Sequence, residues 1–132
     1  MVRSISAMGP ERSIDRPTVL AHARRLTSSL LSPLAETIDR QGVYPKAELK
    51  QLAASGLFSA HLRAYGQPAD LGLSILLIAE VAKVCGSSGF VGWCQAACGV
   101  YLEESGNPAL TGSPLQAHIH GQGLGGTGLS NP

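Results

Sequence analysis

A chain of 132 residues with 44% hydrophobic and 14% charged side chains has room for one domain with a substantial core. Its charged fraction is low against an average near ~25%, which suits a unit that packs against something larger. A net charge of +1 with scattered basic residues leaves no electrostatic footprint for nucleic acid. No run of ~18 apolar residues offers a membrane span. Cys85, Cys94 and Cys98 are odd in number and lack framework spacing, as expected in a reducing cytoplasm.

Residues 1–16 lack the apolar stretch of a signal peptide and read as a disordered lead-in. Over 17–40, Val19, Ala23, Leu26, Leu30, Leu34 and Ile38 recur at steps of three and four, the stripe of an amphipathic helix. Pro17 suits its first turn, whereas Pro33 removes a ladder bond and predicts a break near Leu31–Pro33. Arg24 and Arg25 read as a solvated face of this helix.

Gly42 ends the element, and a shorter helix over 46–55 closes at Gly56. The apolar but short stretch 57–65 reads as an irregular or extended connection. The helix over 73–84 is apolar nearly all round, which predicts the central, most buried helix. Within it Glu80 has apolar neighbours and reads as a structural ion pair or hydrogen bond at a helix interface.

Gly86-Ser87-Ser88-Gly89 reads as a turn before a largely apolar helix over 90–104. Asn107-Pro108 and Ser113-Pro114 place capping residues before prolines, with Gln116 at capping-box spacing from Ser113. They predict short helical turns over 108–110 and 114–120. The glycine-rich tail, 121–132, reads as extended. The expected fold is all-α, an up-and-down helical bundle of about five helices ending in one strand without a partner, a helical domain over 17–122 followed by 123–132.

Chemistry-bearing patterns are sparse. Gly121/Gly123/Gly126 and Gly123/Gly125/Gly128 match G-x-G-x-x-G, but a helix precedes them and no helix has room to follow, so a nicotinamide site is not supported. Cys94 and Cys98 with His118 and His120 do not make a metal site, since a His-x-His pair on a helix points to different faces. Glu36, Asp39, Glu48, Glu103 and Glu104 fall on polar faces or helix ends. No catalytic constellation is visible.

Several segments together resemble the amino-terminal domain of the acyl-CoA dehydrogenase family. They are Leu31 to Arg40 with its internal proline and Asp39-Arg40 ending, followed by Tyr44-Pro45; Leu52-Ala53-Ala54-Ser55-Gly56-Leu57; Tyr65-Gly66; the glutamate-bearing Ile78 to Ala82; Ser105-Gly106-Asn107; and Thr127 to Pro132. Gln67-Pro68 and Asn131 depart from the family's pattern, which has a second glycine and an acidic residue there.

The resemblance implies an oxidoreductase that desaturates an acyl thioester such as an acyl-CoA with FAD (FMN being the alternative), and a homo-oligomer in its full-length form. By the same resemblance, the catalytic base belongs to a carboxy-terminal domain. The present chain, ending where a middle β-domain would begin, is then inactive alone. It implies that Thr127, Leu129 and Ser130 approach the flavin, with Gly125, Gly126 and Gly128 letting backbone come close. It places Trp93 and Ala97, one turn apart, on the acyl-chain cavity. A same-fold flavin-dependent monooxygenase and a helical interaction module without cofactor are the rival readings.

Overall fold

The computed structural model describes residues 15–66 and 68–126. Among them lie seven α-helices and one 3-10 turn, and no strand. They are α1 (Arg16–Leu31), α2 (Ala35–Gln41), α3 (Lys46–Ala54), α4 (Leu71–Val84), α5 (Gly86–Glu104), α6 (Pro108–Thr111) and α7 (Ser113–Ile119), with the 3-10 turn at Arg63–Tyr65. The all-α class read from the sequence is the observed one. Of the expected terminal strand, residues 123–126 adopt no regular structure and 127–132 lie outside the described residues, as do 1–14 of the expected lead-in.

The break at Pro33 falls as the sequence predicts, between α1 and α2. Gly42 then ends α2 in the left-handed region at φ 64°, where a side chain would be strained. The segment 57–62, expected to be a mere connection, is part of the core. Leu57, Phe58, Ala60 and Leu62 are all buried, with Leu31, Leu49, Leu52, Leu73, Leu77 and Val81 among the buried residues of the helices. Its apolar content is core material wound into turns instead of a helix, because Gly56 at φ 83° redirects the chain just before it.

α1 and α4 run side by side in the same direction, joined by two bidentate ion pairs. Arg16 at the start of α1 donates to both oxygens of Asp70, at 2.9 and 2.7 Å. Further along, Arg24 donates to both oxygens of Glu80 at 2.9 Å each. Asp70 also caps α4 by accepting from the backbone N–H of Leu73. Arg24 lies on the solvated face that the sequence predicts, its side chain 64% exposed, and from there pairs with Glu80, which has the interface role expected of it.

α4 and α5 form an antiparallel pair, and here two sequence readings are corrected. The Gly86-Ser87-Ser88-Gly89 run is the first turn of α5, not a loop, and Cys85 alone, in extended conformation, separates the two helices. Gly89 is needed inside the helix, because a Cβ there would lie 2.6 Å from the Cβ of Ala82 on α4. Nor is α4 buried all round, since Leu71, Ile75 and Leu76 are exposed. Ser113, expected to cap α7, is its first residue instead, and the Gln116 N–H goes to the carbonyl of Gly112. Asn107 does cap α6, accepting from the Ala109 N–H.

The Glu80 carboxylate, only 8% exposed, also accepts from Lys83 at 2.7 Å. Hydrogen bonds from Arg24 and Lys83 hold its pKa at about 2, against an ordinary 4.5. Because the folded value is the lower one, this contribution to stability is complete above the ordinary value and is lost as pH falls toward 2. Arg24 and Lys83 are mostly in water, so Glu80→Gln is expected to destabilise by only about 1–2 kcal/mol at neutral pH. Urea melts should show that difference shrinking in acid. Thr27 is fully buried on α1 with no hydrogen-bond partner for its hydroxyl. Thr27→Val keeps the shape and removes the orphan, so it should be neutral or stabilise by about 1 kcal/mol in the same melts.

Candidate functional site

The inward face of α5 is made of small or polar residues. Ser88, Gly89, Gly92, Gln95, Ala96 and Gly99 are its buried positions. A Cβ at Gly92 would collide with the Phe58 ring, and one at Gly99 with Leu62 and His118. With the small side chains turned inward, the large ones turn outward: Phe90 is 64% exposed and Trp93 52%, and Tyr101 and Val100 are exposed as well. The Phe90 and Trp93 rings lie against each other with centroids 5.8 Å apart. Together with Leu71 and Ile75 they give the α4–α5 pair an apolar outer face.

In that face lies a cleft of about 260 Å³. One wall is Leu71, Ser74, Ile75 and Ile78 from α4; the other is Trp93, Ala96, Ala97 and Val100 from α5; His61 joins them from the segment before the 3-10 turn. Trp93 and Ala97, singled out in the sequence, therefore share one cavity. Two polar lining residues were not singled out, His61 and Ser74. The His61 Nε2–H donates to the carbonyl of Ala96 at 2.9 Å, and Nδ1 lies 3.1 Å from the Ser74 hydroxyl. Ser74 sits mid-helix in an apolar run and His61 in an irregular segment, so neither had a periodicity to mark it.

The other side of α5 holds the start of the glycine-rich tail. Gln95, buried, places its carboxamide against Gly125, accepting the Gly125 N–H at 2.9 Å and donating to the Gly125 carbonyl. A Cβ at 125 would strike Cys98 Sγ unless the thiol turned aside. Burial pushes the Cys98 thiol pKa up. Nearby, the buried His118 is held below the ordinary histidine value, first by burial, with a hydrogen bond to the Gln95 backbone opposing it and the charge of His61 adding to it. Cys94, Cys98, His118 and His120 form no metal-binding cluster, and none occurs among the described residues.

Thr127, Leu129 and Ser130, the positions expected near a flavin, lie outside the described residues. The described lead to them, residues 123–126, carries no charged side chain, and Gly126 has open space where a Cβ would stand. A flat group could come against backbone there. Gln95→Leu leaves both polar groups of Gly125 unpaired. It should destabilise by about 1–3 kcal/mol and speed hydrogen exchange at the Gly125 amide, read by NMR; an unchanged exchange rate would refute the clamp.

No helix among the described residues is long and apolar enough to cross a membrane. Comparison with curated proteins and with solved structures returns no match. The sequence profile described as acyl-CoA dehydrogenase, N-terminal domain, matches residues 15–122. A match over that much of the chain, on a helical unit with the features described, shows that this protein belongs to the acyl-CoA dehydrogenase family.

Proposed function

We propose that the chain is the helical domain, followed at 123–132 by the start of a β-domain, of a flavin-dependent enzyme that desaturates an acyl thioester, and that its share of the work is to shape the acyl-chain site. The observation that carries this is the α4–α5 cleft. It is apolar on both walls, has a half-exposed indole at Trp93 and is backed by Ala97. An acyl chain needs a dry slot of such a kind, with few polar groups.

The reading does not call on this chain for a base. Removal of an α-proton needs a free carboxylate or imidazole within reach. Among the described residues, Asp70 and Glu80 are tied to arginines, and Glu103 accepts from the Ala64 N–H and pairs with Arg63. His118 is buried against backbone, and His61, which lines the cleft, has its ring nitrogens against the Ala96 carbonyl and the Ser74 hydroxyl. On this reading the chain binds the acyl group and excludes water, and the base is supplied by the carboxy-terminal domain that the family resemblance implies.

FAD, when bound, supplies the two-electron acceptor that such a desaturation requires. The backbone of Leu129 and the hydroxyl of Ser130 are the groups that would approach its ring, with Thr127 beside them. The open backbone at Gly126 fits a flat cofactor. FMN, which carries the same ring, is the alternative.

In the complete enzyme, Trp93→Ala deepens the cleft. It should raise kcat/KM for long acyl-CoAs relative to short ones by roughly tenfold, the discrimination that a few methylenes supply. The check is a chain-length series with a dye acceptor; an unchanged ratio removes Trp93 from the acyl site. Insertion of one atom of O2 into an organic substrate at the expense of reduced flavin, without acyl-CoA desaturation, would instead make the enzyme a monooxygenase.

A further inference from the structure

Gln95 is out of keeping with its surroundings. The buried face of α5 is otherwise Ser88, Gly89, Gly92, Ala96 and Gly99, and Gln95 is only 4% exposed there. A buried carboxamide is costly unless its two ends are paired. Both are paired, and with a single residue: Gln95 accepts the Gly125 N–H at 2.9 Å and donates to the Gly125 carbonyl. Among the described residues, these are the only hydrogen bonds to the tail beyond Gly123. Gly125 is half-buried and Gly126 exposed, so water could serve the same backbone groups. Satisfying the tail does not call for a buried glutamine; fixing it in place does.

In the chain Gln95 stands between Trp93 and Ala97, which line the cleft from the other side of the helix. One helical turn separates those two, about 6 Å along the axis. Thr127 follows Gly125 within about 7 Å of chain. The wall of the cleft and the root of the segment expected to face the flavin thus hang on the same turn of α5. Hydrogen transfer from a bound chain tolerates little error. The reacting atoms must stand about 3–3.5 Å apart, and a misplacement of about 1 Å can cost roughly a hundredfold in rate. We propose that Gln95 is a positioning residue for the desaturation: through Gly125 it holds the flavin-facing segment at a set distance from the acyl cleft.

This inference rests on the desaturation reading, and two substitutions test it. Gln95→Met keeps the length of the side chain and removes both hydrogen bonds. Gln95→Glu is switchable. Ionised, its carboxylate accepts the Gly125 N–H but repels the carbonyl; protonated, it offers the same donor and acceptor as the carboxamide. Burial favours the protonated form.

In the 132-residue chain without cofactor, the Gly125 amide resonance should move in Gln95→Met. In Gln95→Glu it should move at high pH and return toward the wild-type position as pH falls. In the complete enzyme loaded with FAD, stopped-flow mixing with saturated acyl-CoAs, from butanoyl to hexadecanoyl, reads binding and flavin bleaching separately. Gln95→Met, and Gln95→Glu at high pH, should keep wild-type affinity yet bleach roughly ten- to a hundredfold more slowly per bound flavin. Gln95→Glu should regain the wild-type rate over the pH range in which its Gly125 resonance returns. If the resonance moves and the rate per bound flavin does not, Gln95 only stabilises the fold, and the inference is overturned while the desaturation reading stands. A Gly125 resonance unmoved by Gln95→Met overturns it too. If no acyl-CoA bleaches the wild-type flavin, the desaturation reading itself falls, and this inference with it.

Discussion

Steric exclusion along one side of α5 governs the rest of the structure. Gly89, Gly92, Ala96 and Gly99 recur at steps of three and four and are buried. A helix with such a face can come within backbone distance of its neighbours, here Ala82, Phe58 and Leu62. The usual partition of an amphipathic helix is thereby reversed: bulk lies outside and compact residues inside. The outer face of α4 and α5, with its cleft, is a product of that reversal. An apolar surface of this kind is costly to leave in water.

Polar side chains fasten what the small residues bring close. Asp70 ties α1 to the start of α4 and caps α4 at the same time. Glu80 repeats the tie farther along. Gln95 secures the glycine-rich segment by imitating a strand partner, one N–H and one carbonyl at the spacing of a backbone amide. The tail was expected to be an edge lacking partners, and at Gly125 a side chain of α5 supplies one.

Much of the fold was legible. Helix periodicity, Pro33, Gly42, Gly56 and the Asn107-Pro108 cap act locally, and local signals survive in a single sequence. The misreadings share a cause. Gly86 to Gly89 looks like a turn because glycine and serine are common in turns, yet here glycine answers a demand from Ala82, a tertiary contact that composition does not reveal. The helix over Leu71–Val84 looks central because it is apolar, but apolar content does not say whether a face is covered by this chain or by another. Trp93 and Ala97, named through resemblance, do line one cleft. His61 was not named, because its partners Ser74 and Ala96 are brought to it only by folding.

The junction at Cys85 has one more implication. With a single buried residue between α4 and α5, the two walls of the cleft are two arms of one bracket. A longer connector would give them more freedom to part or slide than this one does. On the proposed reading the cleft is a gauge of fixed bore. New guests would be accommodated by replacing the side chains that line it, so divergence among relatives should be written in the identities at positions such as 75, 93 and 97, not in insertions between the helices.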